Sequence, residues 1–212
     1  MKKFLDRYYK YLRPLRPLYG WFIDARRRQV CSKRAEEWKS RGYRGAKLDV
    51  CGGRNPFNPE EFLNVDIVAL PQVDLVFDIT KRFPIDSSVI AEILSVATLE
   101  HLRKPQVHHV LQEFFRILAP RGVLRISTPD IEAIAQGILD HGDLDVLNQH
   151  LFGRFKSEET EDLDLHKWMY PAPQMISVLQ ELGFVDVERI PLDLGMHDPR
   201  LNYLIRARKA SA

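Results

Sequence analysis

The chain has 212 residues, enough for one well-buried core or one domain with a short appendage. With 45% hydrophobic and 28% charged residues it is not a chain disordered throughout, and its two cysteines, Cys31 and Cys51, make no disulfide framework and show no metal-ligand spacing. The net charge of +2 hides an asymmetry: residues 1–45 carry 14 Lys/Arg against 4 Asp/Glu, so a basic arm precedes a body of net charge −8.

Met1-Lys2-Lys3-Phe4 is not followed by an apolar signal region, and no run nears the roughly 18 apolar residues of a membrane span, so a cytoplasmic protein is expected. Residues 1–45 read as one or two short helices broken by Pro14, Pro17 and Gly20. Their apolar residues, among them Tyr8, Tyr9, Tyr11, Leu12, Trp21 and Phe22, need a surface to pack on. It is the body itself, a second copy in a homodimer, or the anionic inner face of a membrane, where interleaved aromatic and basic residues bind peripherally. A nucleic acid would engage the same charges, but no RNA-binding motif accompanies them and the body is acidic.

From Lys47 to the end, the body at 46–212 alternates strands and helices. Lys47–Cys51 predicts a strand ending at Gly52-Gly53; Leu63–Ile67, Asp74–Asp78 and Ile90–Val96 predict three more. Val107, Val110, Leu111, Phe114, Phe115 and Leu118 recur at the helical period, so Pro105–Leu118 predicts an amphipathic helix with His108, His109 and Glu113 on its solvent side. Ala119-Pro120-Arg121-Gly122 breaks the chain before a fifth strand, Val123–Thr128. Asp130 can cap a helix over Ile131–Leu139 by accepting from its first amides. Residues near 140–170 are polar and irregular, as in a lid-like insertion. A helix over Pro173–Leu182 stops at Gly183, before strands Phe184–Ile190 and Leu201–Arg208. This alternation predicts a doubly wound, mostly parallel α/β sheet.

In such sheets ligands bind beyond the carboxyl ends of the strands, where the strand order reverses. Gly52-Gly53, Asp66, Asp78, Ser95–Thr98 and Pro129-Asp130 all stand at predicted strand ends. Glycines let a backbone approach a ligand closely, and a carboxylate at the tip of the second strand can accept both hydroxyls of a ribose. The turn Cys51-Gly52-Gly53-Arg54-Asn55-Pro56 does not match G-x-G-x-x-G. Pro56 and Pro59, in the ten residues between Gly53 and Asn64, leave little room for the helix a pyrophosphate wants. These features disfavour a dinucleotide and suit an adenosine cofactor without phosphate.

The stretch 47–190 resembles the class I methyltransferases that use S-adenosylmethionine (SAM). Leu48–Gly53 is similar to their motif I, Asn64-Val65-Asp66 to the acidic second motif, and Leu118–Leu124 to the "L-x-P-G-G" segment. Within the class, Asn64–Asp66, Asp78–Thr80, Glu100–Leu102 and His166–Tyr170 resemble a bacterial group associated with surface-glycan and lipopolysaccharide biosynthesis. The chain departs from the family's pattern at Cys51, Asn55 and Arg121.

The resemblance implies a seven-stranded Rossmann-like sheet with its last strand antiparallel, and SAM held by Asp49, Cys51, Gly52, Gly53 and Asp66, with Asp78, Ile79 and Ala97 completing the site. It implies methyl transfer to a small-molecule or glycan-related acceptor, at oxygen. His101, after the fourth strand, is the first candidate for the base and His166 the second, because histidine titrates near neutral pH. Asp130, Trp168 and Tyr170 are the candidate acceptor contacts, and no metal is expected. Two other readings stay open: a non-catalytic glycan- or membrane-associated binding protein of the same fold, and an RNA methyltransferase gripping its substrate with the basic arm.

Overall fold

The structure is a computed structural model, and it describes residues 16–153, 161–195 and 197–211. The expected packing of Tyr8, Tyr9, Tyr11 and Leu12 lies outside these residues. Strands β1 (Lys47–Val50), β2 (Phe62–Asp66), β3 (Leu75–Val76), β4 (Ile90–Val96), β5 (Leu118–Pro129), β6 (Phe184–Ile190) and β7 (Asn202–Lys209) form one sheet. Their order is β3-β2-β1-β4-β5-β7-β6. The first five strands pair in parallel, and β7 runs antiparallel to both β5 and β6. The chain winds outward from β1 to β3 and restarts at β4 on the other side of β1. The carboxyl ends of β1 and β4 therefore frame the crevice where such sheets bind ligands.

Alternating side chains sort the core into two unequal layers. Leu48, Val50, Leu63, Val65, Ile93, Leu124 and Ile126 share one cluster with Val107, Val110, Leu111, Phe114 and Ile117 of α2 (Lys104–Ile117) and with Met175 and Leu179 of α6 (Ala172–Glu181). Phe62, Leu94, Val96, Leu194 and Leu204 form a smaller cluster. No helix links β1 to β2; residues 51–61 make turns only, and Phe57 in that connection stands edge-on to Phe62 with ring centroids 5.4 Å apart. Pro56 and Pro59 thus act as the sequence suggests: an aromatic side chain on a loop stands where a crossover helix would otherwise pack.

Five expectations are corrected. Within the described part of the arm, Arg16–Ser40 is one long helix, α1, which Pro17 and Gly20 do not break, while Pro14 lies outside the described residues. Pro17 falls in its first turn, where a missing N–H removes no bond, and Gly20 inside the helix costs only about 1 kcal/mol. Cys31 is buried and Arg34 Nε donates to Asp74 Oδ1 at 2.8 Å, while Trp21 and Phe22 remain 71% and 58% exposed. β3 is shorter than expected because both flanking carboxylates are engaged in side-chain bonds: Asp74 accepts from Asn64 N at 2.8 Å and Asp78 from Thr80 N at 2.8 Å.

The expected break at Ala119–Gly122 is a bulge inside β5, since Leu118 pairs with Ile90 and Val123 with Glu92. Arg121 takes φ +64° there. Glu113 is buried rather than solvated; its Oε2 accepts from Phe83 N at 2.8 Å and from Arg116 Nη2 at 2.6 Å. The region expected to be irregular holds α4 (Leu144–Phe152), capped by Asp143 accepting from Asp145 N and Val146 N, and the short α5 (Glu161–Asp164). Before it, α3 (Ile131–Leu139) begins at the expected cap, with Asp130 Oδ1 accepting from Ala133 N at 3.4 Å. Among the described residues, no helix is long and apolar enough to cross a membrane.

Candidate active site

The turn after β1 is shaped by a buried carboxylate. Asp49 is 2% exposed, and its Oδ2 accepts from Phe57 N at 2.7 Å, so it ties the loop back onto the strand it left. Gly52 lies directly over this group: a Cβ there would overlap Asp49 Oδ2 and stand 2.8 Å from Asn64 Oδ1. Only glycine fits. Burial pushes the Asp49 carboxyl up to about 6, against the Phe57 amide, which favours its charged form.

On either side of Gly52, Cys51 and Gly53 take φ +61° and +55°. Burial, helped by the nearby Asp66 carboxylate and opposed by the Thr98 hydroxyl, pushes the Cys51 thiol up to about 12, so it is a protonated, poorly nucleophilic filler.

The other strand ends meet this turn. Asp66 ends β2; its Oδ1 accepts from Val68 N at 2.8 Å and its Oδ2 lies 3.8 Å from where a Cβ of Gly53 would stand. Asp78 accepts from both Thr80 N and Thr80 Oγ1, and these bonds hold its carboxyl below the usual range. Ile79 is buried in the main core, whereas Ala97, at φ +49°, leaves β4 with its amide donating to Ser127 O at 2.9 Å. Thr98 Oγ1 donates to Val50 O at 3.1 Å and so fixes the loop after β4 to the end of β1.

Beyond β4 a cavity of about 390 Å³ opens, with Ala97, Glu100, His101, His166 and Asn202 in its wall and Gln149 and His150 of α4 above. His101 and His166, expected independently from two motifs, come together with ring centroids 4.9 Å apart and planes at 74°. The backbone joins those motifs as well: Lys167 N and Trp168 N both donate to Glu100 O, at 2.7 and 3.2 Å. His101 Nδ1 is 3.2 Å from Leu165 O, and His166 Nδ1 is 2.8 Å from His150 O. Burial, helped by the neighbouring His101, holds the His166 ring down to about 4 and therefore neutral at pH 7. Glu100 is 1% exposed; burial pushes its carboxyl up to about 7, although Thr128 Oγ1 donates to its Oε2 at 3.1 Å.

Solved structures share this architecture. A SAM-dependent methyltransferase from Thermotoga maritima superposes with a TM-score of 0.53 at 14% identity, over 99% of this chain and 100% of its own. One from Methanosarcina mazei gives 0.53 at 15% identity over 80% and 94%. The CurJ carbon methyltransferase gives 0.50 at 20% identity over 79% of this chain, which spans about half (49%) of that protein. The chain has the fold of the SAM-dependent methyltransferases. No protein-family model matches the sequence, and no curated protein does.

On that fold the remaining expected residues separate. Trp168 is 38% exposed, with Lys104 Nζ 5.0 Å from its ring centroid. Tyr170 belongs to the main core instead of the rim, and its carbonyl accepts from the Tyr203 hydroxyl at 2.9 Å. Asp130, besides capping α3, pairs with Arg189 at 2.9 Å. Sequence reasoning missed Glu100 as a functional group and missed His150 and Asn202 in the cavity wall. Glu100 stood beside His101 in a quoted motif, but nothing in a linear motif shows that a glutamate is buried.

Proposed function

We propose that the protein transfers a methyl group from SAM to an oxygen of a hydroxyl-bearing small molecule or glycan-related acceptor. The observation that carries this reading is Gly52: the chain holds a Cβ-free turn over Asp49, under Asp66, at the switch point of a methyltransferase sheet. Such a cradle fits an adenosine moiety, with Asp66 on the ribose hydroxyls and Asp78 and Ile79 at the adenine end. Bound there, SAM supplies an electrophilic methyl group.

The chain's own residues then hold the acceptor and take its proton. His166 is neutral at pH 7 and Glu100 is divided between its two forms, so both can accept a proton, as can His101 beside them. Asn202 and Gln149 give the cavity amide groups suited to hydroxyls, and Trp168 offers an aromatic face for a sugar ring. Incubation with methyl-labelled SAM and a panel of nucleotide sugars and oligosaccharides tests the reading. Label in a hydroxyl acceptor, lost in His101→Ala, is expected. SAM binding without label in any such acceptor would overturn the acceptor class while leaving the cofactor site standing.

A further inference from the structure

Three side chains from two separate segments converge on the cavity. One donor atom from each of Glu100, His101 and His166 lies within 4.8 Å of the other two. Donors on a tetrahedral zinc ion stand about 3.4 Å apart, so closing around an ion requires these atoms to draw together by up to about 1.4 Å, within reach of side-chain rotation.

Proximity alone would not make a site, but each of these side chains is also held from behind. Thr128 Oγ1 donates to Glu100 Oε2 at 3.1 Å, while Oε1 of the same buried carboxylate has no hydrogen-bond partner among the described residues. The Nδ1 atoms of His101 and His166 lie 3.2 and 2.8 Å from the carbonyls of Leu165 and His150. A carbonyl only accepts, so each Nδ1 carries a hydrogen, which in the neutral form of the ring leaves the lone pair on Nε2. A backbone carbonyl behind the ring is the support that metal-bound histidines commonly have, because it fixes both tautomer and orientation. A buried carboxylate oxygen with no donor is costly, and a cation shared with two neutral imidazoles removes that cost.

We propose that Glu100, His101 and His166 bind a divalent transition-metal ion whose remaining coordination positions open into the cavity. Two imidazole nitrogens and one carboxylate suit Zn²⁺, Co²⁺, Mn²⁺ or Fe²⁺; Mg²⁺ and Ca²⁺ prefer oxygen donors throughout. Three protein ligands leave room for water or for a hydroxyl of a bound molecule, in a cavity of about 390 Å³. Sequence spacing gave no sign of this site, because its ligands come from the turn after β4 and from the segment after α5. The binding itself does not depend on the methyl-transfer reading. If both hold, Glu100, His101 and His166 act as ligands rather than as the base, and a bound ion would make the acceptor's hydroxyl easier to deprotonate.

The test uses full-length protein stripped with a chelator, titrated with Zn²⁺ by calorimetry and with Co²⁺ by visible absorption. One saturable equivalent of Zn²⁺ is expected, with affinity falling roughly tenfold or more in Glu100→Gln and in His166→Asn. His108→Asn, at an exposed histidine of α2, should leave it unchanged. The Co²⁺ form should show the intense bands of a four- or five-coordinate site with nitrogen ligands. Absence of saturable binding, retention of binding in both site variants, or only the weak spectrum of octahedral Co²⁺ would overturn the proposal. The spectrum of the unaltered protein decides if a variant fails to give a native circular dichroism signal. SAM titrated in parallel keeps the claims apart: metal without SAM binding preserves this site and removes the methyl-transfer reading, and the converse removes only this site.

Discussion

The amide of Lys167 donates to the carbonyl of Glu100 at 2.7 Å. That bond joins the turn after β4 to the segment that follows α5, two stretches distant in sequence. It sets His166 against His101, and it leaves the Glu100 side chain buried beneath both with Thr128 as its hydrogen-bond donor. The chemistry proposed for the cavity depends on this junction, because neither segment alone brings the three groups together.

The glycine turn predicts an order of sensitivity. Gly52→Ala puts a methyl group into Asp49 and Asn64, both buried, so it should cost about 1–3 kcal/mol and weaken SAM binding at least tenfold. Gly53→Ala meets nothing closer than 3.8 Å and carries mainly the strain of φ +55°, about 1–2 kcal/mol. Thermal unfolding and calorimetry on the two variants check this. Equal effects, or a worse one at Gly53, would contradict the account of the turn.

Glu100 predicts how stability varies with pH in chelator-treated protein. Its carboxyl is raised from 4.5 to about 7 by burial, so the fold binds this proton more tightly than the unfolded chain does. The resulting stabilisation is full below about 4.5 and is lost as pH rises to about 7. His166 has the opposite sign: its ring is lowered from 6.5 to about 4, so its contribution grows as pH rises through that range. Glu100→Gln removes only the first effect. Relative to the unaltered protein, the variant should therefore gain stability, on the order of 1–3 kcal/mol, between acid and neutral pH. A difference in unfolding temperature that stays flat across that range would rule out a titrating, buried Glu100.

Much of the fold was legible because hydrophobic periodicity is local: Val107, Val110, Leu111 and Phe114 announce α2 and its buried face together, though Ile117 rather than Phe115 completes that face and Leu118 already begins β5. The places of the glycine turn and of Asp66 at strand ends were legible for a similar reason, since a strand's apolar run ends where its polar tip begins. The continuity of α1 through Gly20 was not, because one glycine's cost is small beside the helix as a whole. The bulge at Ala119–Gly122 was hidden because proline and glycine mark a turn whether or not the strand resumes. The burial of Glu100 and Glu113 was hidden because each depends on partners far away in sequence, Thr128 for the one and Phe83 for the other.

Core positions supply a control of known direction. Phe114 is fully buried under the sheet, so Phe114→Ala should cost about 3–5 kcal/mol in urea unfolding. Tyr203→Phe keeps the ring and removes only the donor to the Tyr170 carbonyl, which should cost about 1–3 kcal/mol. The reverse order would mean that the hydrogen bond to Tyr170, rather than packing, governs that side of the core.

Calorimetric titration of the full-length protein with SAM and S-adenosylhomocysteine tests the central claim most directly, with Asp66→Ala alongside. The account predicts saturable one-site binding of both ligands, weakened roughly tenfold to a hundredfold when the Asp66 carboxylate is removed. Absence of saturable binding at millimolar ligand, or an affinity that Asp66→Ala leaves unchanged, would contradict it.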